Sequence, residues 1–155
     1  MFQKNGHNHG RCIKSAMKTA ASLCAARGAR LTTLRRRVLE LIWQSHQPVG
    51  AYELLHKLKS ERRNAQPPTV YRALEFLLEL GLVHRVESLN SYVGCNAPDM
   101  DHPSQFLICS NCGAAAEIAD ARLDKAINAL AKDAGFSVNH RSIEVEGQCP
   151  NCQIS

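Results

Sequence analysis

Thr69-Val70-Tyr71-Arg72-Ala73-Leu74-Glu75-Phe76-Leu77-Leu78-Glu79-Leu80-Gly81, followed after Leu82 by Val83-His84-Arg85-Val86-Glu87-Ser88-Leu89-Asn90-Ser91-Tyr92-Val93-Gly94-Cys95, decides the fold. In the first segment Val70, Leu74, Leu77 and Leu78 share one side of a helix, and Gly81 closes it. The second alternates on both sides of Leu89-Asn90 and reads as a β-hairpin. A hairpin directly behind a set of helices describes a winged helix, with the wing beside the last helix.

The helices upstream fit that reading. Ile13, Met17, Ala20, Ala21 and Cys24 recur at helical spacing up to Gly28. Thr32 or Thr33 can cap a second helix with Leu34, Val38, Leu41 and Ile42 inward and Arg35, Arg36 and Arg37 mostly outside. A third helix is predicted from Ala51 to Arg62 on the spacing of Tyr52, Leu55 and Leu58. Pro67-Pro68 then forces an extended break before the fourth, from Thr69 to Leu80. Residues 1–11, rich in Gly, Asn and His, carry no period and are expected to be disordered. No role falls to His7 or His9 there, nor to Cys12, His46, His56 or His140 further on.

The start of the fourth helix carries Thr69, Tyr71 and Arg72. Free N–H groups and the helix dipole favour phosphate there, and an Arg can read guanine in a major groove. A plain surface helix on which Tyr71 merely packs is the alternative. Charge leans the same way. The chain has 155 residues, 19 Lys+Arg and 14 Asp+Glu, net +5. Arg27 to Arg72 holds most of the excess against only Glu40, Glu53 and Glu61. A polyanion suits this half, although a solvated helix face has the same composition.

The hairpin makes a register statement. A loop symmetric about Leu89-Asn90 pairs Val86 with Val93 and His84 with Cys95, which puts an imidazole and a thiol on one face within reach of one ion. His102 and Glu117 follow, between the basic helices and the cysteine-rich end of the chain.

Cys109-Ser110-Asn111-Cys112 and Cys149-Pro150-Asn151-Cys152 are paired C-x-x-C brackets. Two such turns brought together complete a closed shell of four sulfurs around a structural zinc ion. A thiol oxidoreductase would need a single bracket in a thioredoxin-like pattern, which is absent. Around these brackets the sequence predicts an α+β unit. It has short strands at 105–108 and 114–119 and a helix capped by Asp120 with Leu123, Ile127 and Leu130 inward. A further strand is expected over 136–146, with a bulge near Arg141. Pro98 and Pro103 mark residues 96–104 as a linker, which gives a winged-helix domain over 12–95 and a second domain over 105–155. With no membrane-length apolar run and no signal-peptide core, a cytoplasmic protein is expected, and seven cysteines in a reducing compartment point to ligation.

Pro67-Pro68-Thr69-Val70-Tyr71-Arg72-Ala73-Leu74, the hairpin and the two brackets together resemble the ferric uptake regulator family of metal-responsive bacterial repressors, and within it the zinc-responsive branch. The likeness runs from about Leu31 to Cys152. It implies a homodimer with N-terminal winged-helix domains and C-terminal dimerisation domains, binding palindromic double-stranded operators of zinc-uptake genes with zinc as corepressor. It further implies two zinc ions per protomer, a structural one on Cys109, Cys112, Cys149 and Cys152 and a regulatory one on His84, Cys95, His102 and Glu117. Tyr52 and Arg72 match family positions near DNA, and Thr69, Tyr71, Arg35 and Arg36 join them as candidate DNA contacts. Neither an enzymatic activity nor a small-molecule substrate is expected. A metallohydrolase reading, with Glu117 recast as a general base, leaves the basic half unexplained. An iron-dependent peroxide sensor is a second rival, weakened because the His-rich run of iron-responsive members is reduced here to Asp101-His102.

Overall fold

Apolar residues at helical spacing set the first half of the chain. In the computed structural model, which describes residue 2 and residues 9–45, 47–100 and 102–153, it runs α1 (His9–Ala26), α2 (Thr33–Ile42), β1 (Val49–Gly50), α3 (Ala51–Glu61), α4 (Pro67–Glu79), β2 (Val83–Val86) and β3 (Ser91–Gly94). Met17, Ala20 and Cys24 of α1 bury against Val38, Leu39 and Ile42 of α2, Leu54 and Leu58 of α3, and Val70, Leu74 and Leu77 of α4. Thr32 caps α2 by accepting the Arg35 N–H at 3.3 Å.

Several boundaries differ from expectation. Helix α1 reaches back to His9, so His9–Arg11 are ordered helix, whereas His7 and His46 lie outside the described residues. Helix α4 begins at Pro67, because a first-turn proline gives up an N–H that has no intrahelical partner anyway. Tyr52 is 74% exposed, and Leu54, Leu55 and Leu58 form the inward face of α3.

Strands β1, β3 and β2 form one antiparallel sheet in that order. The hairpin register is two residues away from the symmetric one: His84 faces Val93 and Val86 faces Ser91, and the Cys95 N–H donates to the Leu82 carbonyl. The loop is a four-residue turn, Glu87 to Asn90, with Asn90 at φ 45°. A slip of two keeps every side chain on its face, so His84 and Cys95 still share one side of the hairpin.

The second half is β4 (Ser104–Cys109), β5 (Ala115–Glu117), α5 (Ala121–Asp133), β6 (Ser142–Gly147) and the short α6 (Pro150–Gln153). Strand β4 is central, antiparallel to β5 and parallel to β6, with α5 as the crossover. Asp120 caps α5 through the Arg122 N–H at 2.8 Å. The strand expected over 136–146 begins only at Ser142, so Phe136 to Arg141 form an irregular approach and no bulge is needed.

The inward stripe predicted for α5 is also corrected. Leu123 and Ile127 are only half-buried and Leu130 is 68% exposed; Phe136 and Val145 of the same half are exposed too. Among the described residues this stripe packs against neither buried core cluster. The two halves meet where Val86, fully buried, packs on Phe106 and Ile108. Among the described residues no helix is long and apolar enough to cross a membrane.

Candidate metal centres

The two brackets converge. Cys109 ends β4, Cys112 lies in the turn behind it, Cys149 precedes α6 and Cys152 lies on α6. Their four sulfurs lie within 4.8 Å of one another. Tight turns make this possible: the Gly113 N–H returns to the Cys109 carbonyl at 2.9 Å, with Gly113 at φ 72°, and the Cys152 N–H to that of Cys149 at 2.9 Å. Parallel pairing of β4 with β6 carries the second bracket up to the first.

A tetrahedron with Zn–S bonds of about 2.3 Å has edges of about 3.8 Å. Cys112 Sγ and Cys149 Sγ are 3.8 Å apart. The Cys149 N–H donates to Cys109 Sγ at 3.3 Å. That bond, helped by the N–H groups of Cys112 and Asn111 against the effect of burial, holds the Cys109 thiol at about 6. Interaction with the Cys149 sulfur, together with burial, pushes Cys152 up to about 12. Sulfurs this crowded ionise together only around a cation, so the residues fit a closed, non-catalytic zinc site.

The second centre is assembled from three segments. His84 comes from β2, Cys95 from just past β3, His102 from the connection and Glu117 from the end of β5, and their ligand atoms again lie within 4.8 Å. His84 Nε2 is 3.2 Å from His102 Nε2, Cys95 Sγ is 3.5 Å from His102 Nε2, and Cys95 Sγ is 4.0 Å from Glu117 Oε1. Tetrahedral zinc with N and S donors has edges of about 3.3 to 3.6 Å. Glu117 Oε1 sits closer to the imidazoles, 2.8 Å from His84 Nε2 and 2.7 Å from His102 Nε2.

Neighbouring groups aim each ligand. His102 Nδ1 is 2.8 Å from the Met100 carbonyl, an acceptor only, so Nδ1 carries a proton and Nε2 is the nitrogen that would offer a lone pair to a metal. His84 Nδ1 is 3.1 Å from Ser104 Oγ, and its ring stands edge-on to Phe106, centroids 5.9 Å apart. The Asn96 backbone N–H and side-chain amide donate to Glu117 Oε2 at 3.3 and 3.4 Å, which leaves Oε1 for the centre. Ser104, Met100 and Asn96 were not visible as site residues in the sequence. Adjacency of Asn96 to Cys95 and of Ser104 to Pro103 is no signal without the fold.

Burial drives the Glu117 carboxyl upward but is outweighed by His84, His102 and Asn96, and the group rests at about 2. Burial first, then the Glu117 charge, pushes the Cys95 thiol to about 12. A carboxylate and a thiolate here balance a dication, and the sulfur favours zinc over harder ions. The donor set therefore fits zinc as well.

Residues 26–146 match the ferric uptake regulator family. The chain belongs to the ferric uptake regulator family. A family relative, the zinc uptake regulation protein of Escherichia coli K12, is 44% identical over 134 residues, 86% of this chain and 78% of that protein. A solved structure described as a zinc uptake regulator complexed with zinc and DNA is 41% identical and superposes with a TM-score of 0.88 over 92% of this chain and 95% of that one. XcZur, solved in holo and apo forms, superposes at 0.83 in the holo form, over 91% of this chain and 99% of that one. The apo form gives 0.53, over 91% and 97%. This structure is thus more similar to the holo form of XcZur than to the apo form.

The candidate DNA contacts divide. Thr69, Tyr71 and Arg72 lie on the first turns of α4, with Tyr71 and Arg72 exposed, and Tyr52 is exposed on the first turn of α3. Arg36 is exposed and pairs with Glu40 at 3.5 Å. Arg35 is engaged inside the protein: its guanidinium lies 3.6 Å above the Phe76 ring and donates to the Arg30 carbonyl at 2.7 Å. Arg37 binds Glu61 and Glu40.

Proposed function

We propose that this chain is a zinc-responsive, DNA-binding transcriptional repressor of zinc-uptake genes, with zinc as its corepressor. The observation that carries the reading is the convergence of His84 and Cys95 from the wing, His102 from the connection and Glu117 from the second half on one centre. Residues 12–95 act as the winged-helix reader, 96–104 as the hinge and 105–155 as the dimerisation unit. A divalent ion bound at this centre supplies the charge that keeps the Cys95 sulfur ionised and ties the three segments together. The four ligands thereby select one angle between reader and base.

In a homodimer that angle sets the separation of the two α4 helices, which must match half-sites about 34–36 Å or a multiple apart on a palindromic operator. The exposed apolar residues Leu130, Phe136 and Val145, all in the second half, support its burial against a partner protomer. Shifting a two-state angle from 1:99 to 99:1 takes about 5.5 kcal/mol of differential affinity, which a four-ligand site formed in only one arrangement can furnish. The holo and apo superpositions support two such arrangements in a relative. The Cys109, Cys112, Cys149 and Cys152 centre holds a second zinc per protomer and fixes the fold.

Tyr52, Thr69, Tyr71 and Arg72 are assigned to the DNA face, with Arg36 as a phosphate contact. Arg35 acts there indirectly, by bracing α2 on α4. The deciding experiment is operator binding titrated against free zinc, with iron and manganese as controls. Tight binding only with zinc is the expected result, and equal binding with all three ions or none overturns the reading.

A further inference from the structure

Glu144 makes a second tie between the two halves, at the opposite end of the hairpin from the metal centre. Strand register puts Glu144 beside Phe106, on the sheet face that receives Val86. From there its carboxylate spans the gap to the hairpin turn. Oε1 accepts the Glu87 N–H at 2.6 Å and Oε2 accepts the Ser88 N–H at 3.0 Å. Two successive backbone N–H groups gripping one carboxylate make a charge-assisted, two-point contact that fixes orientation as well as distance. Glu144 is held below the usual carboxylate range: burial opposes this, but the Ser88 and Glu87 donors prevail. The turn itself is braced by Arg85 on Asn90 at 2.9 Å, so the N–H pair is presented by a rigid element.

A body tied at one point can still pivot about it. His84 and Cys95 sit at the base of the hairpin and Glu87 and Ser88 at its tip, with Val86 between them. We propose that Glu144 is a positioning residue for DNA recognition: by clamping the wing tip to the dimerisation sheet it removes the rotation that the metal centre alone leaves free. This deepens the repressor reading and rests on it for its effect on DNA.

The test uses the full-length, zinc-loaded dimer. Glu144→Gln keeps the size but removes the charge and one acceptor. Ser88→Pro removes a donor from the other side, at the second position of the turn closed by the Asn90 N–H on the Glu87 carbonyl, where proline is well accommodated. Each variant is expected to keep its zinc content and dimer. Faster hydrogen exchange is expected at the Glu87 amide in both and at the Ser88 amide in Glu144→Gln. Operator affinity at saturating zinc is expected to fall about tenfold. The double variant should lose no more than either single one, because both break the same contact.

Wild-type operator affinity in Glu144→Gln at every zinc concentration overturns the positioning role, whatever the amides do. Additive losses in the double variant overturn the direct contact. If the wild-type chain shows no zinc-dependent DNA binding, the repressor reading is what fails, and amide exchange alone then decides whether the clamp exists.

Discussion

Glu117 Oε1 stands 2.8 Å from His84 Nε2, so a carboxylate at the end of β5 and an imidazole on β2 face each other across the junction of the two halves. Each is almost shut off from solvent, and each is oriented by its own neighbour, Asn96 for Glu117 and Ser104 for His84. The pair needs both halves in the arrangement seen here. A site with ligands on only one side of the junction would bind metal without reporting on the angle.

Cys95→Ser is expected to remove one zinc per protomer while the dimer and the four-cysteine zinc remain. Serine keeps the shape but lacks a thiolate, so the softest donor is lost. Zinc-dependent operator affinity should drop by about a hundredfold, in the range seen when a metal site is impaired. Metal content by mass and a gel-shift titration check this, and wild-type affinity contradicts the sensor assignment.

The reach of the sequence can be judged from this same centre. His84 and Cys95 were legible as a pair although their register was misjudged by two, because face depends on parity alone and an even slip preserves it. The C-x-x-C spacing fixed the other centre regardless of the strands around it. Helix α5 was misread for a physical reason: periodicity reveals an apolar stripe but not what covers it, and Leu130 faces out of its own chain. The stacking of Arg35 on Phe76, 41 positions further along the chain, was illegible because it leaves no local pattern. The Glu144 contact with Ser88 spans 56 residues and was equally illegible.

Cys112→Ser acts on folding. Removal of one ligand leaves three crowded sulfurs with no closed shell, and the turn at Gly113 loses its anchor. The variant should be monomeric or aggregated with less than one zinc at that centre. Sizing chromatography with metal analysis tests it, and a normal dimer of normal zinc content sinks it. A chelator titration of the wild-type chain should correspondingly remove zinc in two steps. DNA binding is lost in the first and helical circular dichroism in the second.

Arg72→Ala should weaken specific operator binding by about 1–3 kcal/mol with little effect on random DNA, as expected for a side chain reading a base edge. Arg36→Ala should weaken both alike and reduce the salt slope by about one. Arg35→Ala, by contrast, should lower the melting temperature, because it strips the guanidinium from Phe76 and the Arg30 carbonyl. Binding and thermal melts on the three variants separate these roles, and equal losses on specific and random DNA for Arg72→Ala exclude base readout.

Gly94→Ala tests how tightly the wing is seated on the helices. Gly94 precedes the proposed ligand Cys95, and a Cβ there would collide with Cε2 of Trp43 and lie 2.5 and 2.7 Å from its Nε1 and Cζ2. Trp43 closes α2 and belongs to the buried core, so the indole has little room to retreat. Overpacking of this kind costs about 1–3 kcal/mol. For a chain of this length that is a fall of several degrees in melting temperature, at about 2–4 °C per kcal/mol. Displacing β3 would also move Cys95 relative to His102, so the regulatory zinc should bind more weakly while the four-cysteine zinc is unchanged. Trp43→Phe removes the atoms in the way, and combined with Gly94→Ala it should restore part of both losses. A Gly94→Ala protein with wild-type melting and wild-type zinc affinity would mean that the wing is not held against Trp43.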